Sequence, residues 1–198
     1  MLKTHLGLKG GLFGLALLAA AIAPSAAFAE ERTCRGTLRA VTVDNLRVPQ
    51  DATCELIRTY VKGTITVKRN AILIARGVRV VGNVQAENAR NVIVTYRKSS
   101  GFTYRSRIGG SVQVKQGRAA TVRASRIAGD IQYDANRRYL KANGNRVGGS
   151  IQVVGNSGGA EIFRNVVNGN LQCKENSPAP IGGGNIVGGN KEDQCARF

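Results

Sequence analysis

The sequence predicts an all-β protein, a single-stranded parallel β-helix of about seven coils with a period near twenty residues. Three observations carry this: a glycine-marked motif that recurs, strict alternation inside each copy, and Asn-rich turns between copies. The motif reads GTITV at Gly63, GNVQA at Gly82, GSVQV at Gly110, GDIQY at Gly129, GSIQV at Gly149 and GNLQC at Gly169, with weaker copies GTLRA at Gly36 and GNKEDQ at Gly189. Successive steps are 27, 19, 28, 19, 20, 20 and 20, so the two long steps read as insertions into a fixed period. Self-similarity at such a period, without helical spacing inside it, indicates a solenoid rather than a globular core.

The chain opens with Lys3 and Lys9, an apolar run from Leu12 to Ala23, Pro24 and the small-x-small sequence Ala27-Phe28-Ala29. That order matches a signal peptide over residues 1–29, and the run is too short for the ~20 residues of a membrane span. Residues 30–198 are then one exported domain, periplasmic or extracellular. All four cysteines lie there. An even number in an oxidising compartment reads as two disulfides. Cys34–Cys54 and Cys173–Cys195 are the expected pairs, because each joins residues about one coil apart at one end of the chain. The absence of any C-x-x-C knuckle argues against zinc.

Within each repeat, with its glycine as position 1, position 3 is Ile65, Val84, Val112, Ile131, Ile151 and Leu171, and position 5 is Val67, Ala86, Val114, Tyr133, Val153 and Cys173. Gln85, Gln113, Gln132, Gln152 and Gln172 lie between them. Apolar-polar-apolar is the period of a strand with one buried face, which points Tyr133 inward and the Gln row outward as a stacked amide ladder. A flat amide face for a sugar is the functional alternative for that row. A second short strand ends in Ile108, Ile127, Val147, Val167 and Val187. Asn70, Asn136, Asn156 and Asn176, and then Asn145, Asn165 and Asn185, mark corners. There Asn is expected to take the left-handed backbone conformation and to bond the neighbouring main chain. Residues 170–198, with Pro178, Pro180 and a charged end, read as a cap against edge-to-edge pairing.

The GNLQ, GNVQ and GSIQ coils, the Asn corners and the closing stretch NGNLQCKENSPAPIGGGNIVGGNKEDQC resemble a group of exported bacterial β-solenoid repeat proteins of uncharacterised function, and their coil logic is similar to right-handed parallel β-helices in general. The resemblance implies a right-handed coil and no particular activity: such folds include pectate lyases, adhesins and tailspikes. Bactofilins stack shorter coils in the cytoplasm, from which an exported, capped chain departs.

Composition narrows the chemistry. Lys plus Arg is 29 against 12 Asp plus Glu, for a net charge of +17. The single histidine, His5, lies in the expected signal peptide, so the exported domain has no imidazole for a triad or a metal. Asp130, Asp134, Glu87 and Glu161 are scattered, and Asp130 takes a position held by Ser111 and Ser150 in adjacent coils, so no calcium-binding acidic ladder is expected. The expectation is a protein without enzymatic activity, metal or cofactor. Its charge is concentrated between Arg97 and Arg146, where only Asp130 and Asp134 oppose the cations. Arg107, Arg126 and Arg146 are spaced 19 and 20 apart, and Arg118 and Arg137 19 apart, so each set should stack as a basic stripe. Arg97, Lys98, Arg105 and Arg138 complete the candidate polyanion-binding set. The insertion RKSSGFTYRSR at 97–107 has no repeat partner and is the best single binding loop. Export favours an acidic polysaccharide, lipopolysaccharide or another anionic envelope component over nucleic acid as partner. A polysaccharide lyase or hydrolase and an oligomeric envelope scaffold are the alternative functions.

Overall fold

The structure, a computed structural model, describes residues 1–2 and 30–198; the expected signal peptide falls on residues outside those described. Three parallel sheets of nine, eight and eight strands run the length of the domain. Each coil contributes one strand to each. The coil that begins at Gly129 places Ile131–Asp134 on the first face, Leu140–Asn143 on the second and Arg146–Val147 on the third. Strands pair in parallel with the coils below and above, Ile131 with Val112 and Ile151. The result is a β-solenoid of about eight turns, about 38 Å tall at ~4.8 Å per turn. Among the described residues no helix is long and apolar enough to cross a membrane.

The extra turn comes from a difference at the N-terminal end. Gly36–Arg39 is not a copy of the glycine motif: it lies on the second face, where Gly36 pairs with Cys54 and Leu38 with Leu56. The coil before Gly63 instead starts at Asp44, whose carbonyl accepts the Gly63 N–H at 2.7 Å, and its strand Asn45–Val48 pairs with Ile65–Val67. The 27-residue step therefore contains no insertion. The 28-residue step does: Arg97–Ser99 and Phe102–Tyr104 form an antiparallel hairpin that leaves the solenoid between the second and third faces.

The core is one continuous column. Alternate residues of the first and second faces point inward, as Ile151 and Val153 or Leu140 and Ala142 do, and each third-face strand sends in a single Val or Ile. Tyr133 is 1 % exposed. Its coil carries only Ala142 at the inward end of the second-face strand, and its phenol donates to the Lys141 carbonyl at 2.8 Å. Burial pushes that phenol's pKa well above its usual range.

The corners depart from expectation in an informative way. Left-handed backbone falls on the residue before each buried asparagine, on Ala135, Gly155 and Glu175 before Asn136, Asn156 and Asn176, and on Gly144, Arg164 and Gly184 before Asn145, Asn165 and Asn185. Asn70 is itself the left-handed residue, and Ala71 follows it into the core. The buried asparagines act through their side chains. Asn156 Oδ1 accepts from the Asn136 N–H at 2.8 Å, while its Nδ2 donates to the Tyr133 carbonyl and to Asn176 Oδ1. Asn145, Asn165 and Asn185 repeat the pattern at the next corner. A third ladder runs at the glycine corner through Asn45, Thr64, Asn83, Ser111, Asp130, Ser150, Asn170 and Asn190, each side-chain oxygen accepting the N–H of the next member. This is why position 1 is glycine: a Cβ on Gly149 would lie 3.1 Å from the Gly129 backbone and overlap the Asp130 carboxylate. The outer Gln row is aligned, but only Gln113 and Gln132 are hydrogen-bonded, at 3.0 Å, among the described residues. Amide bonding along the axis thus resides chiefly in the buried asparagines.

Both expected disulfides form, Cys34–Cys54 with Cα atoms 5.6 Å apart and Cys173–Cys195 with Cα atoms 5.2 Å apart. At the C-terminal end Gln194 replaces the missing next coil: its Oε1 accepts from the Asn176 main chain and side chain, and its Nε2 donates to the Asn176 carbonyl. Phe198 packs against the end of the core. Asn156→Ala is expected to strand buried groups in two neighbouring coils and cost about 3 kcal/mol, whereas Gln132→Ala, outside, should cost under about 0.5 kcal/mol; urea unfolding of the oxidised domain measures both. Loss of the Cys173–Cys195 bridge, a loop of 22 residues, should lower stability by about 3 kcal/mol in the same assay on Cys195→Ser.

Candidate functional site: an arginine groove on the third face

Third-face strands are only two residues long, the first outward and the second inward. The outward row reads Tyr60, Arg79, Arg107, Arg126, Arg146, Val166 and Ile186, paired in register from coil to coil. Four consecutive arginines are therefore stacked one coil apart, at ~4.8 Å. Arg107, Arg126 and Arg146 form the stripe that their spacing indicates. Arg79 extends it and did not figure among the sequence candidates, because the hairpin lengthens the step to Arg107 to 28 residues; Gly82 to Gly110 shows the same step and could have located it.

The row borders a groove of about 670 Å³. Its floor is the corner before the third face, with Gly77, Ser125, Gly144 and Asn145. The hairpin supplies one side through Thr103, Tyr104 and Arg105, and Arg164 stands at the far end. Arg105 thus joins the stripe from the inserted segment. Arg97 pairs with Tyr104 and Lys98 with Thr103 across the hairpin, and neither is among the residues that line the groove. The hairpin is fixed at its base: Arg58 lies over the Tyr104 ring at 4.6 Å, and Ser106 Oγ accepts the Val78 N–H and donates to the Thr95 carbonyl. Arg79 likewise lies over the Tyr60 ring at 5.1 Å. Among the described residues no carboxylate comes within 4.0 Å of Arg79, Arg105, Arg107, Arg126, Arg146 or Arg164; the ion pairs are elsewhere, as at Lys62–Asp44, Arg76–Glu55 and Lys141–Glu161.

Arg118 and Arg137 are neighbours too, but at a different corner. Arg137 donates its N–H to the Gly117 carbonyl and Arg138 to the Arg118 carbonyl, and Arg118 and Arg137 share a shallower depression of about 460 Å³ with Arg69 and Asp51. The basic segment thus divides into two separate stripes, of which only the third-face one is free of acidic residues along its lining.

The carboxylates do not converge. Asp130 is a member of the glycine-corner ladder, accepting the Ser150 N–H at 2.7 Å, and Asp134 ends a first-face strand. Glu161, on the second face, accepts from the Tyr139 hydroxyl at 2.8 Å and from Lys141 at 3.2 Å and Asn143 at 3.3 Å. The hydrogen bond from Tyr139, helped by Lys141 and Asn143, holds the Glu161 carboxyl below its ordinary pKa, and burial, with the bond to Glu161, raises the pKa of Tyr139. Among the described residues no three His, Cys, Asp or Glu side chains are grouped to hold a metal.

The chain matches no protein family model, no curated protein and no solved structure, so the site is read from its own geometry. A carbon-detected titration of Glu161 should give a midpoint below that of an unperturbed glutamate. The contribution of its network is then present at neutral pH and lost as the pH falls through that lowered value; Tyr139→Phe should move the midpoint back up.

Proposed function

We propose that this protein is an exported, non-enzymatic binding module of the cell envelope, whose third-face groove takes up an acidic polymer. The single observation that carries the reading is the file of four in-register arginines that have no carboxylate partner among the described residues. Water screens such a file, yet each arginine still repels the next, and an anionic chain laid along it relieves every pair at once. The rigid solenoid keeps the cations in place before the ligand arrives, so little ordering is lost on binding.

Two disulfides at the ends of the domain favour an oxidising compartment, in keeping with the leader-like sequence of residues 1–29. Outside the cytoplasm the abundant acidic polymers are polysaccharides and lipopolysaccharide rather than nucleic acid. Asp130, the carboxylate that a lyase-type reading would rely on most, accepts the Ser150 N–H in the corner ladder, which supports the non-enzymatic reading.

Retention of residues 30–198 on an immobilised acidic polysaccharide should be strong at low salt and fall steeply as salt rises. The triple variant R107S/R126S/R146S should bind at least about tenfold more weakly and release about three fewer counterions. Retention indifferent to salt and to these substitutions would overturn the reading, as would calcium-dependent release of unsaturated sugar products by the unaltered protein.

A further inference from the structure

The groove is single-file, and this narrows the ligand. We infer that it is built for a linear uronic-acid chain lying parallel to the solenoid axis, one carboxylate to each arginine. The inference rests on the polyanion reading and adds the charge spacing and the direction of the chain.

Along the outward row one arginine per coil gives one cation per ~4.8 Å of the axis, with Arg105 as a second cation in the coil of Arg107. An extended uronic-acid chain offers one carboxylate per sugar, and a pyranose ring spans roughly the distance between neighbouring strands. Duplex DNA carries about one charge per 1.7 Å of its axis, nearly three for every arginine step, divided between two strands that a one-residue row cannot follow together. Single-stranded nucleic acid binds by stacking bases on open aromatic faces. Here the nearby rings are taken, Tyr104 by Arg58 and Tyr60 by Arg79, and the exposed Phe102 does not line the groove. A guanidinium fork suits a carboxylate in particular, through two parallel hydrogen bonds.

The groove also has a defined length. From Arg79 to Arg164 it crosses five coils, about 19 Å, so about five sugars fill it. Beyond Arg146 the outward row turns apolar, with Val166 and then Ile186, which is 69 % exposed. The file of cations therefore ends within the rod. Gly144 keeps the floor low: it has φ +66° and open space where a Cβ would stand. Arg164, at the equivalent corner one coil on with φ 54°, shows that a side chain fits that backbone.

The test is calorimetric titration of residues 30–198 with oligogalacturonates of defined length, alongside dextran sulfate, which carries no carboxylate, and duplex DNA. Affinity should rise at least about tenfold from trimer to hexamer, as two further charge pairs form, and level off beyond. Gly144→Asp sets a carboxylate among the arginines at a positive φ that Asp adopts at modest cost; it should weaken hexamer binding about fivefold or more and lower the melting temperature by no more than about 2–4 °C. Lys174→Ser, which removes the same unit of charge on the first face, should leave hexamer binding unchanged. Salt-sensitive binding of dextran sulfate or DNA together with weak or length-independent uronate binding would overturn the uronate assignment and leave the polyanion reading standing. Equal loss in Gly144→Asp and Lys174→Ser would overturn the groove as the site. No binding of any of the three polymers at low salt would overturn both.

Discussion

The structure depends on lateral registry: every coil must present its backbone donors and acceptors at the height where the next coil answers them. In the strands the main chain does this unaided. At the corners it cannot, because the chain turns and its N–H groups point into the core or across a bend, where an unpaired donor is costly. Three columns of side-chain oxygens answer these groups coil by coil. Two run through buried asparagines and one through the mixed Asn, Thr, Ser and Asp column at the glycine corner. The asparagine columns accept from the coil below and the glycine-corner column from the coil above, so each coil is held from both sides. Where the coils stop, Gln194 supplies the amide that the next coil would have carried.

The same registry that satisfies the backbone makes the surface periodic. A residue type repeated at one position becomes a column, whatever its chemistry. On the third face this turns four arginines, distant in sequence, into a file along the axis. In water each neighbouring pair repels by under about 1 kcal/mol, a cost the scaffold can carry because the corners do not depend on those side chains. The hairpin then gives the file a wall, and the small residues at the adjacent corner keep its floor open.

Much of this was legible in the sequence. Alternation around Gln113, Gln132 and Gln152 located the first face and its inward residues, Tyr133 included. The cysteine spacing located both bridges, and the spacing of Arg107, Arg126 and Arg146 located the stripe. The failures have physical causes. Gly36 begins an alternating GTLR that any half-buried strand would show, and Asp44 hides the true coil start by standing where every later coil has glycine. Asparagine favours both left-handed turns and side-chain bonding to the main chain, and sequence cannot tell which is in use. At Asn70 it is the first and at Asn156 the second. The Gln row aligns as expected, yet its amides face water, which competes for them, so the buried asparagines hold the axis instead. Arg79 and Arg164 were missed because groove membership depends on the hairpin and on a corner offset that no single period encodes.

The central claim, that coil-equivalent residues stand directly above one another, is tested most directly by dipolar electron-spin resonance between labels carried on unnatural amino acids at positions 107 and 146. Two coil steps place those backbones about 10 Å apart, and the account predicts strong dipolar broadening. Spectra equal to the sum of the singly labelled proteins, meaning a separation beyond about 25 Å where broadening vanishes for residues that 39 positions of unregistered chain could hold far apart, would contradict it.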